Sequence, residues 1–149
     1  MFNETEWTKI LFLLADTGAW IKEMEKDLFC SLPAQAKCRL FRKTYYLSSA
    51  SLAHILERHY YKISRHPGCG KFTVDIPTIV HWIRESFFCE PMAIPGSLNF
   101  KRNLDTLTQI GFDKDGLSTT IITVITDPGG EIKTAFPGQY SNDTKIPCL

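Results

Sequence analysis

The sequence predicts an α+β fold, with helices first and a small antiparallel sheet last, over a chain of 149 residues. Apolar residues recur every three or four positions through the first part of the chain, the period of amphipathic helices. From residue 103 the period becomes that of strands, and two turn signals, "DKDG" and "DPGG", divide that part into three runs. With 44% hydrophobic and 22% charged residues, the chain is apolar enough to bury one core.

The first helix opens at Asn3, an N-cap whose capping-box partner is Glu6. Trp7, Ile10, Leu11 and Leu14 form its apolar stripe; the helix continues through "AWIKEMEKDLF", with a bend expected at Gly18, and stops near Pro33. "RLFRKTYYLS" has the aromatic weight of a short strand. Ser48 or Ser49 then caps a second helix running through "SLAHILERHYYKI". Asp75 caps a third, with Pro77 tolerated in its first turn and Ile79, Val80, Ile83 and Phe87 on its buried face. "LDTLTQIGF", "LSTTIITVIT" and "EIKTAFP" follow as a three-stranded meander, and the tail after them is irregular. A helical segment over 1–47 thus precedes a main domain over 48–149.

A net charge of +1 means that affinity for nucleic acid must come from local clusters of Lys and Arg. The five cysteines form no CxxC pair, so free, reduced, cytosolic thiols are the expected state. The N-terminus has acidic residues where a secretion signal needs positive charge, and its apolar run breaks at Asp16, too early for a membrane span.

The stretch "HILERHYYKISRHPGCGKFT" concentrates His54, His59 and His66 with Arg58, Lys62, Arg65 and Lys71. Leu52, Ile55, Leu56, His59 and Ile63 share one helical face, so His59 points to the core or a cleft beside it. His54, five positions earlier, lies roughly 140° round the helix and faces elsewhere with Arg58. A histidine at such a site is either a hydrogen-bonded core residue or a proton carrier working near neutrality. Cations beside it are what phosphodiester cleavage requires, because negative charge grows on phosphate oxygens in the transition state. Zinc is the rival reading, through His59, His66, Cys69 and a distant Cys89 or His81, but the spacing matches no usual knuckle or finger. "GCGK" lacks the P-loop pattern and follows a helix; its glycines allow a tight turn that presents Lys71. In the last strand Ile132, Thr134 and Phe136 are expected on one face, with the Thr134 hydroxyl either structural or a phosphate ligand. Tyr140 either packs or stacks on a base.

"SLAHILERHYYKISRHPGCGKFT", then "IPTIVHWIRESF", then "QIGFDKDGLSTTIITVITDPGGEIKTAFPG" resembles, in this order, the barnase, EndoU, colicin and RelE-like superfamily of small ribonucleases. The toxin domains of bacterial polymorphic and contact-dependent systems and their phage relatives are the most similar members. The resemblance covers roughly residues 48 to 138 and rests on short elements: the helix ending in "RH", the "GKFT" strand entry and the terminal "IKTAFP". It implies an RNA endonuclease that uses neither metal nor cofactor and leaves a 2′,3′-cyclic phosphate. His59 is then the general base or acid, Lys71 and Arg58 stabilise charge, and Thr134 contacts the phosphate. Arg65 and Tyr140 would bind substrate. The glycine-rich "GGH" segment of EndoU-type members is replaced by "SRHPGCG", where His66 stands as second catalytic histidine. The implied partners are RNA, with tRNA among the candidates, and an inhibitory immunity or antitoxin protein; the implied place of action is the cytoplasm, of a target cell if delivered. The other class of function is a non-enzymatic module that binds protein or RNA, docking through the apolar face of "WTKILFLLADTGAWI".

Overall fold

A computed structural model describes residues 3–30 and 45–140. Helix α1 spans Glu4–Cys30, α2 Ser49–His59 and α3 Ile76–Glu85, followed by a 3-10 turn over Ser86–Phe88. The strands are β1 Lys71–Phe72, β2 Met92–Ala93, β3 Phe100–Asp105, β4 Gly111–Phe112, β5 Ser118–Thr119, β6 Ile121–Thr126 and β7 Ile132–Pro137. The architecture is α+β, with helices N-terminal and antiparallel sheets C-terminal.

The caps sit where the side chains dictate. Asn3 Oδ1 accepts from the Glu6 amide at 3.2 Å, Ser48 Oγ from the Ser51 amide at 3.1 Å, and Asp75 Oδ1 from the Thr78 amide at 3.0 Å. Helix α2 is shorter than its sequence pattern. It stops at His59 because Tyr60 turns extended and bridges to Phe72, while the Lys71 ammonium donates to the Arg58 and Ile63 carbonyls at 2.7 and 3.1 Å. The expected strand in "RLFRKTYYLS" lies mostly outside the described residues; its end, Tyr46, pairs in parallel with Glu131 beside β7.

The sheet departs from a three-stranded meander. β2, β3, β6 and β7 form one sheet in that order, while β1, β4 and β5 form a second. "LDTLTQIGF" is therefore not one strand. Asp105 Oδ1 accepts from the Leu107 amide at 2.9 Å and Leu107 takes a φ of 60°, so the chain leaves β3 and re-enters strand only at Gly111. Gly111 has no room for a side chain: a Cβ would lie 2.1 Å from the Lys71 carbonyl oxygen.

One core joins the elements. Leu11 and Ala15 of α1, Ile55 and Leu56 of α2, and Ile76, Ile79 and Ile83 of α3 pack with Ile122, Val124, Ile132 and Ala135 of the sheet. Residues of the 1–47 segment thus share the core of the rest, and Tyr60 adds a tie by donating its hydroxyl proton to Glu4. Ile10 and Leu14 of the α1 stripe face outward, and Phe87, expected on the buried face of α3, is exposed beyond it.

Cysteine usage also differs from expectation. Cys69 is disulfide-bonded, whereas Cys89 is free. No helix among the described residues is long and apolar enough to cross a membrane.

Candidate active site around His59

Strand β7 contains an irregularity that decides which side chains meet. Ile125 pairs with Thr134 and Thr126 with Ile132, so neighbours on β6 face residues two apart on β7, and Lys133 is the extra residue. Thr134 consequently leaves the face of Ile132, contrary to simple alternation. Ile132 packs in the helix-covered core, while Phe136 packs on the opposite face with Ile125, Ile94 and Tyr140. Paired residues point to the same side, so Thr134 shares that opposite face with Phe136.

His59 joins this face from the end of α2. Its ring lies 5.9 Å from that of Phe136, and it is only 2% exposed. Nδ1 donates to the Gly70 carbonyl at 2.9 Å, which leaves Nε2 as the lone-pair nitrogen, buried and without a hydrogen-bond partner among the described residues. The "GCG" turn makes that carbonyl available. A Cβ on Gly70 would come within 2.8 Å of the Phe112 carbonyl oxygen, so only glycine lets the turn lie against β4. Burial lowers the His59 pKa to about 4, with the Gly70 hydrogen bond opposing and His54, Lys71 and Arg58 adding smaller repulsion. At neutral pH the imidazole is therefore uncharged and able to accept a proton. Thr134 Oγ1 is a second buried polar atom without a partner on this face. Among the described residues His54 Nε2 and Arg102 Nε are orphaned as well, off this face; buried polar atoms are nearly always paired, so each calls for explanation.

The remaining candidates divide. Lys71 is near His59 but turned to the end of α2, and burial lowers its pKa. The Arg58 carbonyl is one of the two oxygens it holds. Arg65 and His66 gather elsewhere, at 3.3 and 3.8 Å from Glu57 Oε1. Glu57 precedes His59 by two residues and so points to the far side of α2, roughly 200° away. His54 belongs to that side too, lining a 460 Å³ cavity with Phe12, Asp16, Glu57 and Arg65. His81 stacks beside Trp82. Among the described residues no three His, Cys, Asp or Glu side chains converge as metal ligands would.

Tyr140 lies on the His59 face, its ring 5.1 Å below the Lys101 ammonium, which also donates to the Tyr140 carbonyl at 3.2 Å. Lys101, Asn103 and Thr123 of this face were not singled out by the sequence. No alternation marks them, because Lys101, Arg102 and Asn103 are consecutive polar residues of a strand that starts ahead of the run that reads as strand; only the pairing of β3 with β6 puts Lys101 and Asn103 on one face. Thr123 Oγ1 lies 2.6 Å from the Gly138 carbonyl and 2.9 Å from Asn103 Oδ1, so its position is tied.

No protein-family model, no curated protein and no solved structure matches this chain.

Proposed function

We propose that this chain is a metal-independent RNA endonuclease of toxin type, with His59 as the proton carrier. The observation that supports it is the Gly70 carbonyl on Nδ1, which fixes a neutral imidazole with an unpartnered Nε2 beside Phe136, on the strand that bears the Thr134 hydroxyl. In this reading Nε2 takes the proton from a ribose 2′-hydroxyl, whose oxygen attacks the adjacent phosphorus. The P–O5′ bond breaks and the leaving oxygen takes the proton carried on Nε2, giving a 2′,3′-cyclic phosphate and a 5′-hydroxyl and restoring the neutral imidazole. Thr134 donates its hydroxyl proton to a phosphate oxygen as charge develops there. Lys71 positions His59 by holding the end of α2, and its charge favours the anionic transition state. Arg58 adds charge at the rim; Arg65 and His66, gathered at Glu57, act on the outer RNA strand and not at the reacting atoms.

Because His59 and Thr134 are buried, RNA must displace groups packed on this face, Tyr140 among them. A protein inhibitor covering the same face is the corollary in a producing cell. The Cys69 disulfide accords with passage through an oxidising compartment before action in a target cytoplasm.

The test is purified protein and its His59→Ala variant incubated with total RNA, tRNA included, in excess EDTA, with fragment ends read. Wild type should leave cyclic phosphates, and the variant should be slower by about 10²- to 10⁴-fold. Equal cleavage by both removes His59 from the mechanism, and cleavage by neither folded protein removes the activity.

A second reading is favoured by one observation. Ile10, Leu13, Leu14 and Trp20 stand exposed along α1, an apolar stripe fitting a non-enzymatic module that docks a protein partner. Mutating that stripe should then abolish partner capture without touching RNA.

A further inference from the structure

The register that turns Thr134 away from the core also places it in one row with a lysine. Lys101 of β3 pairs with Ile125 of β6, and Ile125 pairs with Thr134 of β7, so the three side chains cross the sheet on the same face. The next row is Asn103, Thr123 and Phe136, and the Phe136 ring abuts His59. Two strand spacings separate Lys101 from Thr134, about 10 Å between their Cα atoms. A lysine stem of about 6 Å can carry its ammonium across most of that gap.

Lys101 is only 7% exposed, and a buried ammonium is costly in a sheet that packing alone would fill with apolar side chains. Its ammonium rests on the Tyr140 carbonyl and above the Tyr140 ring. A phosphate oxygen, bearing full charge, is a stronger acceptor than that carbonyl.

We propose that Lys101 is a substrate-binding residue that anchors a phosphate of the bound RNA strand, exchanging the Tyr140 carbonyl for it when RNA enters the His59–Thr134 face. The inference rests on the ribonuclease reading, and its test separates the two.

Cleavage and binding of a fluorescent mixed-sequence oligoribonucleotide are measured for wild type, Lys101→Gln, Lys101→Met, Lys101→Arg and His59→Ala over about 50 to 200 mM salt. Melting curves accompany each variant, and whichever neutral variant melts as wild type is the one compared. That variant should raise KM about tenfold with kcat little changed. Its slope of log affinity against log salt should shrink by about 0.7, the release of one counterion from a single strand, and Lys101→Arg should restore both. Loss of packing alone would leave the salt slope unmoved. If His59→Ala is inactive while the neutral variant keeps wild-type KM and slope, the phosphate anchor is wrong and the ribonuclease reading stands. If wild type binds RNA without cleaving it, the catalytic reading fails, and the binding slope alone decides for or against Lys101. If wild type neither binds nor cleaves, both fall.

Discussion

The two faces of the four-stranded sheet are both buried, yet they are made of different chemistry. Toward the helices stand Ile122, Val124, Ile132 and Ala135, closed by Ile55, Leu56, Ile79 and Ile83. The opposite face carries Ile125 and Phe136 but also Lys101, Asn103, Thr123 and Thr134, with His59 at its edge. An apolar face stabilises the fold through area removed from water, whereas buried hydroxyls, an imidazole and an ammonium cost stability unless paired. Among the described residues Thr134 Oγ1 and His59 Nε2 lack partners here, and Arg102 Nε, opposite Val124, is the one such atom on the helix-covered side of the sheet, so the polar face gives up the larger share of stability. That contrast makes the polar face the place to look for function and turns each substitution into a test of which face it belongs to.

The largest change should follow from emptying the apolar face. Ile122→Ala, at a fully buried position, should lower unfolding free energy by about 2–5 kcal/mol in urea titration. A loss under about 1 kcal/mol would mean that this face is not the principal core.

Acid should act through the polar face. His59 titrates at about 4 in the fold, against an ordinary value of 6.5, so between these limits the unfolded chain binds the extra proton. Stability from this group is complete above about pH 6.5, is lost as pH falls toward 4, and changes no further below that. The loss amounts to about 3 kcal/mol, at 1.36 kcal/mol per pKa unit. Urea midpoints of wild type and His59→Phe at pH 7 and pH 4.5 measure it: the pH dependence should shrink in the variant, and equal slopes would mean that His59 is solvated. The acid limb of RNA cleavage should correspondingly lie near pH 4.

The smallest effects offer the sharpest comparison, because the same pair of side chains is exchanged on each face. Val124→Thr buries a hydroxyl among apolar groups and should cost about 1–3 kcal/mol. Thr134→Val removes an orphan hydroxyl and should leave stability unchanged or raise it by about 1 kcal/mol. Its RNA cleavage should drop about tenfold or more. A destabilised Thr134→Val protein with full activity would make that hydroxyl structural and erase the distinction between the faces.

Much of this was legible residue by residue. Asn3, Ser48 and Asp75 announce helix starts through side chains that satisfy nearby amides, a local interaction that needs no knowledge of the rest of the fold. The period of Ile55, Leu56 and His59 put the imidazole on the buried side of α2 in the same way. Other features depended on distant chain segments. Alternation put Ile132 and Thr134 together until a single extra residue, Lys133, separated them, and only pairing with β6 reveals it. Lys71 looked like a cation presented by a turn, but the carbonyls left open where α2 ends draw its ammonium inward.

The sequence by itself determined the helix caps, the apolar faces of α2 and α3, the change from helix to strand, and the residue types able to move a proton or hold a phosphate. These follow from short-range hydrogen bonding and from the fixed periods of helix and strand. Only the tertiary structure decided that Gly70 orients His59, that Thr134 and Lys101 lie in one row, and that Arg65 and His66 stand on the far side of α2. Those relations come from strand register and from where carbonyls remain unpaired, and both are set by contacts between residues far apart in the chain.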